Sequence, residues 1–114
     1  PEIRSRIGPL RITMAIVSEL ARLCRERKIP LVVMKFGLFE MPDEPEDIEA
    51  NRLWTSEIAR VPDVHYFDLD AAFVAEKLTA EDLSSGMKFF HWNPGGHQVV
   101  ARLLQDYLKT RGLL

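Results

Sequence analysis

Apolar positions along the chain change between the spacing of helices and the short continuous runs of buried strands. In the segment 9–28, apolar residues recur at steps of three and four, which predicts a first helix. These positions are Leu10, Met14, Val17, Leu20, Ala21 and Cys24. The run 31–36 is continuously apolar except for Lys35 and is bounded by Pro30 and Gly37. Its length and β-branched centre predict a parallel strand that is buried on both faces.

The second half of the chain repeats this order of helix and strand. A rough apolar face predicts a second helix over 46–60, and the aromatic and β-branched run 64–69 predicts a second strand. A short helix is expected over 71–78. The segment 94–111 carries an apolar stripe and predicts the last helix, with Gly112 as its stop signal.

Helix, strand, helix, strand and helix in this order predict an α/β fold with parallel strands and flanking helices. Two strands are few for a doubly wound sheet. We therefore expect residues 1–114 to form a single partial domain, the C-terminal half of a flavodoxin-like three-layer fold. The free edge of its sheet would receive a missing N-terminal half or drive self-association.

Composition narrows the possible partners. The chain has 114 residues, a net charge of −2 and no apolar run of membrane-spanning length. This charge predicts no nucleic-acid partner, and the lack of such a run predicts no membrane span. A single cysteine, Cys24, excludes an internal disulfide. The ordinary apolar and charged fractions indicate a soluble protein, whose compartment stays open because an export signal could lie in a missing N-terminus.

The segment 89–98 concentrates the residues that could carry chemistry. Pro94 suits the first turn of the last helix, and Asn93 can cap that turn. His91 would then lie on a loop directly before a helix, where side chains are often functional. The alternative is a capped helix start in which His91 and His97 have no chemical role.

The pattern His91-Trp92-Asn93-x-x-Gly96-His97, followed by apolar residues, resembles the C-terminal block of the SGNH (GDSL-like) esterases and acyltransferases. The resemblance implies that His91 is the catalytic base and that Asn93, Gly96 and His97 are structural residues of the motif. It covers the last third of the chain by motif. It also implies a hydrolase of acyl esters of carbohydrates or lipids, with no cofactor and no metal.

Two departures from this family pattern concern the partners of His91. The family carries an aspartate two or three residues before the histidine, where this chain has Phe89 and Lys88. The group that orients His91 is therefore open among three acids or a backbone carbonyl. The three acids are Asp68, Asp70 and Asp82.

The second departure is that the Gly-Asp-Ser nucleophile block is absent, and no serine stands in a comparable context. The serines are Ser5, Ser18, Ser56, Ser84 and Ser85. We expect the nucleophile in a missing N-terminal part of a longer enzyme, so that this chain alone is inactive. An alternative is a non-catalytic α/β interaction module on the same scaffold. A metal site from His91, His97 and a carboxylate is weaker, because their spacing does not put both histidines on one helical face.

Overall fold

The computed structural model of the chain describes residues 2–36, 45–84 and 91–114, and for 2–7, 45–47 and 80 it describes the backbone alone. Strands β1 and β2 pair in parallel as a two-stranded sheet with flanking helices, so the predicted mixed α/β character is confirmed. In chain order the described elements are α1 (Glu2–Glu26), β1 (Leu31–Lys35), α2 (Pro45–Ile58), β2 (Val64–Asp68), α3 (Leu69–Ala75), α4 (Ala80–Leu83) and α5 (Pro94–Thr110).

The first helix begins earlier than its sequence predicts. A start at Pro9 was expected, but α1 begins at Glu2, and Pro9 lies inside it. A proline inside a helix removes one backbone hydrogen bond, but the turn before it contains Glu2 and Arg4, which favour helix. After the proline, Thr13 Oγ1 donates a 2.9 Å hydrogen bond to the Pro9 carbonyl oxygen. The predicted start was therefore wrong.

Three helices end in the same hydrogen-bonded cap. At the end of α1, the N–H of Ile29 donates to the Cys24 carbonyl at 2.9 Å, and Lys28 has a φ of 56°. The α3 end repeats this pattern with Lys77 at φ 59°, and the α5 end repeats it with Gly112 at φ 71°. This is the Schellman arrangement, in which a left-handed residue closes the last turn. The predicted stop at Gly112 is confirmed.

Lys77→Gly should stabilise the protein by roughly 0.5–1 kcal/mol, since a left-handed φ strains a residue with a Cβ atom and suits glycine. The measurement is the unfolding midpoint in urea. Lys109→Gly is the matched control, because Lys109 lies in the last turn of α5, where glycine weakens the helix. A lower midpoint for Lys77→Gly than for the wild type would contradict this interpretation of the cap.

The chain divides into two compact units, each described by itself. The first contains the described residues up to Val33 and those of 45–66. There α1 packs against α2, and Ala21 and Ile58 are buried. Leu20 was expected on the buried stripe of α1 but is exposed, because the helix turns the neighbouring Ala21 inward.

The second unit contains residues 34–36 and the described residues from Phe67 to Leu114, and it holds the larger apolar cluster. Helices α3 and α4 both contact α5 there. Phe67 stacks on Tyr107 with ring centroids 4.6 Å apart. The buried members of the cluster are Phe67, Leu69, Phe73, Leu83, Val100 and Leu103. This packing holds the junction between α4 and α5, where the predicted functional residues lie.

Within the described part of the chain, no helix combines the length and apolar character needed to cross a membrane.

Candidate functional site

Asn93 joins the start of α5 to the end of α4. Its side-chain Oδ1 accepts a 2.6 Å hydrogen bond from the N–H of Gly96, which is the predicted helix cap. Its Nδ2 donates to the carbonyl oxygens of Asp82 and Ser84, both at 3.2 Å. Its backbone N–H donates to the Leu83 carbonyl at 2.8 Å. One asparagine therefore satisfies polar groups on both sides of the junction.

Gly96 is buried where α5 passes close to the end of α4. A Cβ atom at this position would overlap the carbonyl oxygen of Leu83 and would lie 3.1 Å from the Cβ of Trp92. The close approach of the two backbones therefore requires glycine here.

Trp92 connects this junction to the carboxyl end of β1. It forms an isolated antiparallel bridge with Ser84. Its ring centroid lies 5.1 Å from that of Phe36, which directly follows the last residue of β1. The carboxyl ends of parallel strands form the edge at which ligands bind in open α/β sheets.

His91 directly precedes Trp92 and is exposed. It lies three positions before Pro94, the first residue of α5. Trp92, the next residue in the chain, packs against Phe36 at the carboxyl end of β1, while the His91 imidazole is exposed to solvent.

His97 is exposed like His91 but differs from it in its contacts. It lies in the first turn of α5, where its backbone N–H donates to the Asn93 carbonyl at 3.0 Å. Its ring meets that of Trp92 nearly perpendicularly, with centroids 5.5 Å apart. Edge-to-face contacts of this kind stabilise packing, which is a structural role.

Asp82 caps the short helix α4. Its Oδ2 accepts hydrogen bonds from the backbone N–H of Thr79 at 2.8 Å and from the Thr79 hydroxyl at 2.9 Å. In return, the Asp82 N–H donates to the Thr79 hydroxyl at 3.3 Å. The backbone hydrogen bond, followed by the hydroxyl one, holds the pKa of the Asp82 carboxyl below its usual range. This is a capping box with aspartate in place of glutamate.

The Asp82 cap predicts an acid-sensitive contribution to stability. Because its pKa is lower in the folded chain, this carboxyl stabilises the fold above its unfolded pKa and loses that effect as the pH falls through the folded pKa. Asp82→Asn should therefore flatten the fall in the free energy of unfolding on acidification. Urea unfolding at a series of acidic pH values measures this slope.

Thr79→Val is the matched variant for this test, since it removes the hydroxyl that shares the cap. It should reduce the same slope, and adding it to Asp82→Asn should change the slope little. An unchanged slope in Asp82→Asn would show that the cap contributes nothing to the acid sensitivity.

Asp68 and Asp70 lie at the carboxyl end of β2 and share a cation. Asp68 Oδ1 accepts a 3.0 Å hydrogen bond from the N–H of Ala71, so that α3 begins at Leu69 rather than at the predicted residue 71. Lys35 Nζ lies 2.7 Å from Asp70 Oδ2 and 3.5 Å from Asp68 Oδ1. The side chains of Lys35 and Asp70 are only 11% and 8% exposed. Two carboxylates and one ammonium thus form a charge cluster where both strands end.

The described serines lie in ordinary structural positions. Ser18 is exposed on α1, Ser56 is exposed on α2, and Ser84 is buried in the bridge to Trp92. The side chain of Ser5 and all of Ser85 lie outside the described residues, as do Lys88 and Phe89.

Among the residues that the structure describes, no three side chains of histidine, cysteine, aspartate or glutamate converge as metal ligands would.

Sequence reasoning overlooked Lys35 and Phe36. The sequence contains a signal for this ion pair. A lysine stands near the end of an otherwise apolar strand, and two aspartates stand at the end of the next strand. Buried lysines are rarely unpaired, so Lys35 required an acidic partner at the same edge.

Comparison of the chain with models of known protein families, with curated proteins and with solved structures gives no match.

Proposed function

We propose that this chain is the C-terminal part of an SGNH (GDSL-like) esterase or acyltransferase with His91 as its catalytic base. In this proposal the two strands belong to the C-terminal half of a flavodoxin-like sheet. The proposal rests on one observation, which is that the motif residues hold the junction of α4 and α5 together. Asn93 caps α5, Gly96 allows the close backbone approach, and His91 remains exposed just before them.

The chemistry required of His91 is general acid–base catalysis. A serine oxygen attacks the acyl carbonyl while the imidazole takes its proton, and the imidazolium then returns that proton to the leaving alcohol. Histidine is the side chain that most often serves as a general acid and base in enzymes. The substrate class in the proposal is a small acyl ester of a carbohydrate or lipid.

The third member of the machinery would fix the tautomer of His91. Asp68 and Asp82 already accept backbone hydrogen bonds as helix caps. The orienting role in the proposed enzyme falls to Asp68, Asp70, Asp82 or a backbone carbonyl, since a carboxylate that accepts a backbone hydrogen bond can also accept one from an imidazole. Asp70 is buried at the same strand edge and contacts Lys35.

The proposed nucleophile is a serine in a Gly-Asp-Ser segment supplied from outside this sequence. The test supplies such a segment, from the gene region upstream of this coding sequence, fused to the chain or coexpressed with it. Release of p-nitrophenol from a short-chain ester measures activity. We expect turnover only when the segment is present and only with His91 intact. Turnover by the 114-residue chain alone that disappears in His91→Ala would overturn the assignment of the nucleophile.

A second candidate is a non-catalytic interaction module. It is favoured by the exposed apolar residues Ile12, Ile16 and Leu20, which recur every four residues on α1. Such a stripe is common at protein–protein contacts. The same assay separates the candidates, because the module predicts no ester turnover even when the upstream segment is supplied.

A further inference from the structure

The charge cluster at the carboxyl ends of the strands is costly for the fold. Lys35 and Asp70 are almost fully buried, and removing both charges from water carries a desolvation penalty. A well-packed apolar pair is often at least as stable as such an ion pair. The ion pair instead fixes the position of the end of β1 relative to α3, because its 2.7 Å contact joins the last residue of β1 to the first turn of α3.

The contacts continue from this pair to the proposed base. Phe36 directly follows Lys35, and its ring lies against Trp92 with centroids 5.1 Å apart. Trp92 directly follows His91 and is also held by its bridge to Ser84. A shift in the end of β1 would therefore move Phe36 and Trp92, and with them the backbone of His91.

We propose that Lys35 and Asp70 are positioning residues for His91, acting through the contact between Phe36 and Trp92. The catalytic meaning of this role rests on the proposed function, in which His91 is the base. General-base catalysis is sensitive to placement, since an error of about 1 Å can cost roughly 10²-fold in rate. An exposed histidine has little packing of its own, so its placement depends on the residues that hold its backbone.

The test uses nuclear magnetic resonance on the whole chain. Its readouts are the nuclear Overhauser effect between the Phe36 and Trp92 rings and the chemical shift of the His91 ring Hε1. Lys35→Met keeps most of the side-chain length and removes the charge. We expect loss of the Phe36–Trp92 effect and a His91 shift larger than the linewidth. The amide resonance of Gly96, bonded to Asn93, should stay in place and show that α5 still begins correctly.

Two further variants make the result decisive. Lys77→Met removes an exposed lysine from the same unit and should change none of these signals. Lys35→Met combined with Asp70→Leu replaces the ion pair by an apolar pair, which should fold even if Lys35→Met does not. The double variant should also lose the Phe36–Trp92 effect. Wild-type signals from the Phe36 and Trp92 rings and from His91, in either folded variant, would overturn the positioning role.

No ester takes part in this experiment, so its failure is distinct from failure of the proposed function. Unchanged resonances would disprove the positioning role of Lys35 and Asp70, and the hydrolysis assay would still test whether His91 is the base. If the resonances change but the hydrolysis assay fails, Lys35 and Asp70 still position His91, but that position has no role in ester hydrolysis.

Discussion

Replacing Gly96 with alanine is expected to lower the free energy of unfolding by about 3 kcal/mol or more. The added methyl group would overlap the Leu83 carbonyl oxygen, which belongs to the backbone at the end of α4 and cannot rotate away. Overpacking of a buried site costs about 1–3 kcal/mol, and a clash with backbone lies at or beyond the upper end. Urea unfolding followed by tryptophan fluorescence measures the loss.

Gly95→Ala is the matched control, one position earlier in the same helix turn. An added Cβ there meets only Asn93 Oδ1, at an ordinary 3.4 Å, and Gly95 is exposed. Alanine favours helix over glycine by about 0.5–1 kcal/mol, so this variant should be neutral or stabilising. An equal loss of stability in both variants would show that the close approach to Leu83 is not the reason for Gly96.

If the proposed function holds, His91→Ala is expected to lower ester turnover by about 10³-fold or more in the chain supplied with the proposed Gly-Asp-Ser segment. Without the proposed base, the serine oxygen keeps its proton and attacks poorly. Because the members of such a catalytic unit act together, removing one of them costs nearly as much turnover as removing all of them. The stability of the chain should change little, because His91 is exposed. Paired measurements of turnover and unfolding midpoint check both parts.

His97→Ala is the comparison that separates the two histidines. It removes an edge-to-face contact with Trp92, which is worth about 0.5–1.5 kcal/mol of stability, and should leave most of the turnover. The roles are reversed if His97→Ala loses turnover at unchanged stability while His91→Ala keeps it.

Features set by neighbouring residues were predictable from the sequence. Asn93 and Pro94 mark the start of α5 because a cap and a first-turn proline act within one helical turn. Gly112 marks the end of α5 because its left-handed φ is a local requirement. The apolar run 31–36 identified β1 to within one residue, since a continuous apolar run of that length is typical of a buried strand.

Features set by distant residues were not predictable. The partners of Lys35 lie more than thirty positions away, and only the pairing of the strands brings Asp68 and Asp70 to the lysine. The contact between Phe36 and Trp92 likewise depends on the tertiary fold. The predicted start of α1 at Pro9 was wrong for another reason. A proline is more common at a helix start than inside a helix, but α1 contains Pro9 in its interior.

The most direct test of the proposed role of His91 is covalent labelling by a fluorophosphonate of the chain supplied with the proposed Gly-Asp-Ser segment. Such a reagent attaches to a serine only where a base activates the oxygen. Peptide mass analysis should find the label on the serine of that segment, and His91→Ala should abolish it while His97→Ala retains it. Labelling that persists without His91 would contradict the role of His91 as the base, and a label on Ser18, Ser56 or Ser84 would contradict the proposed location of the nucleophile.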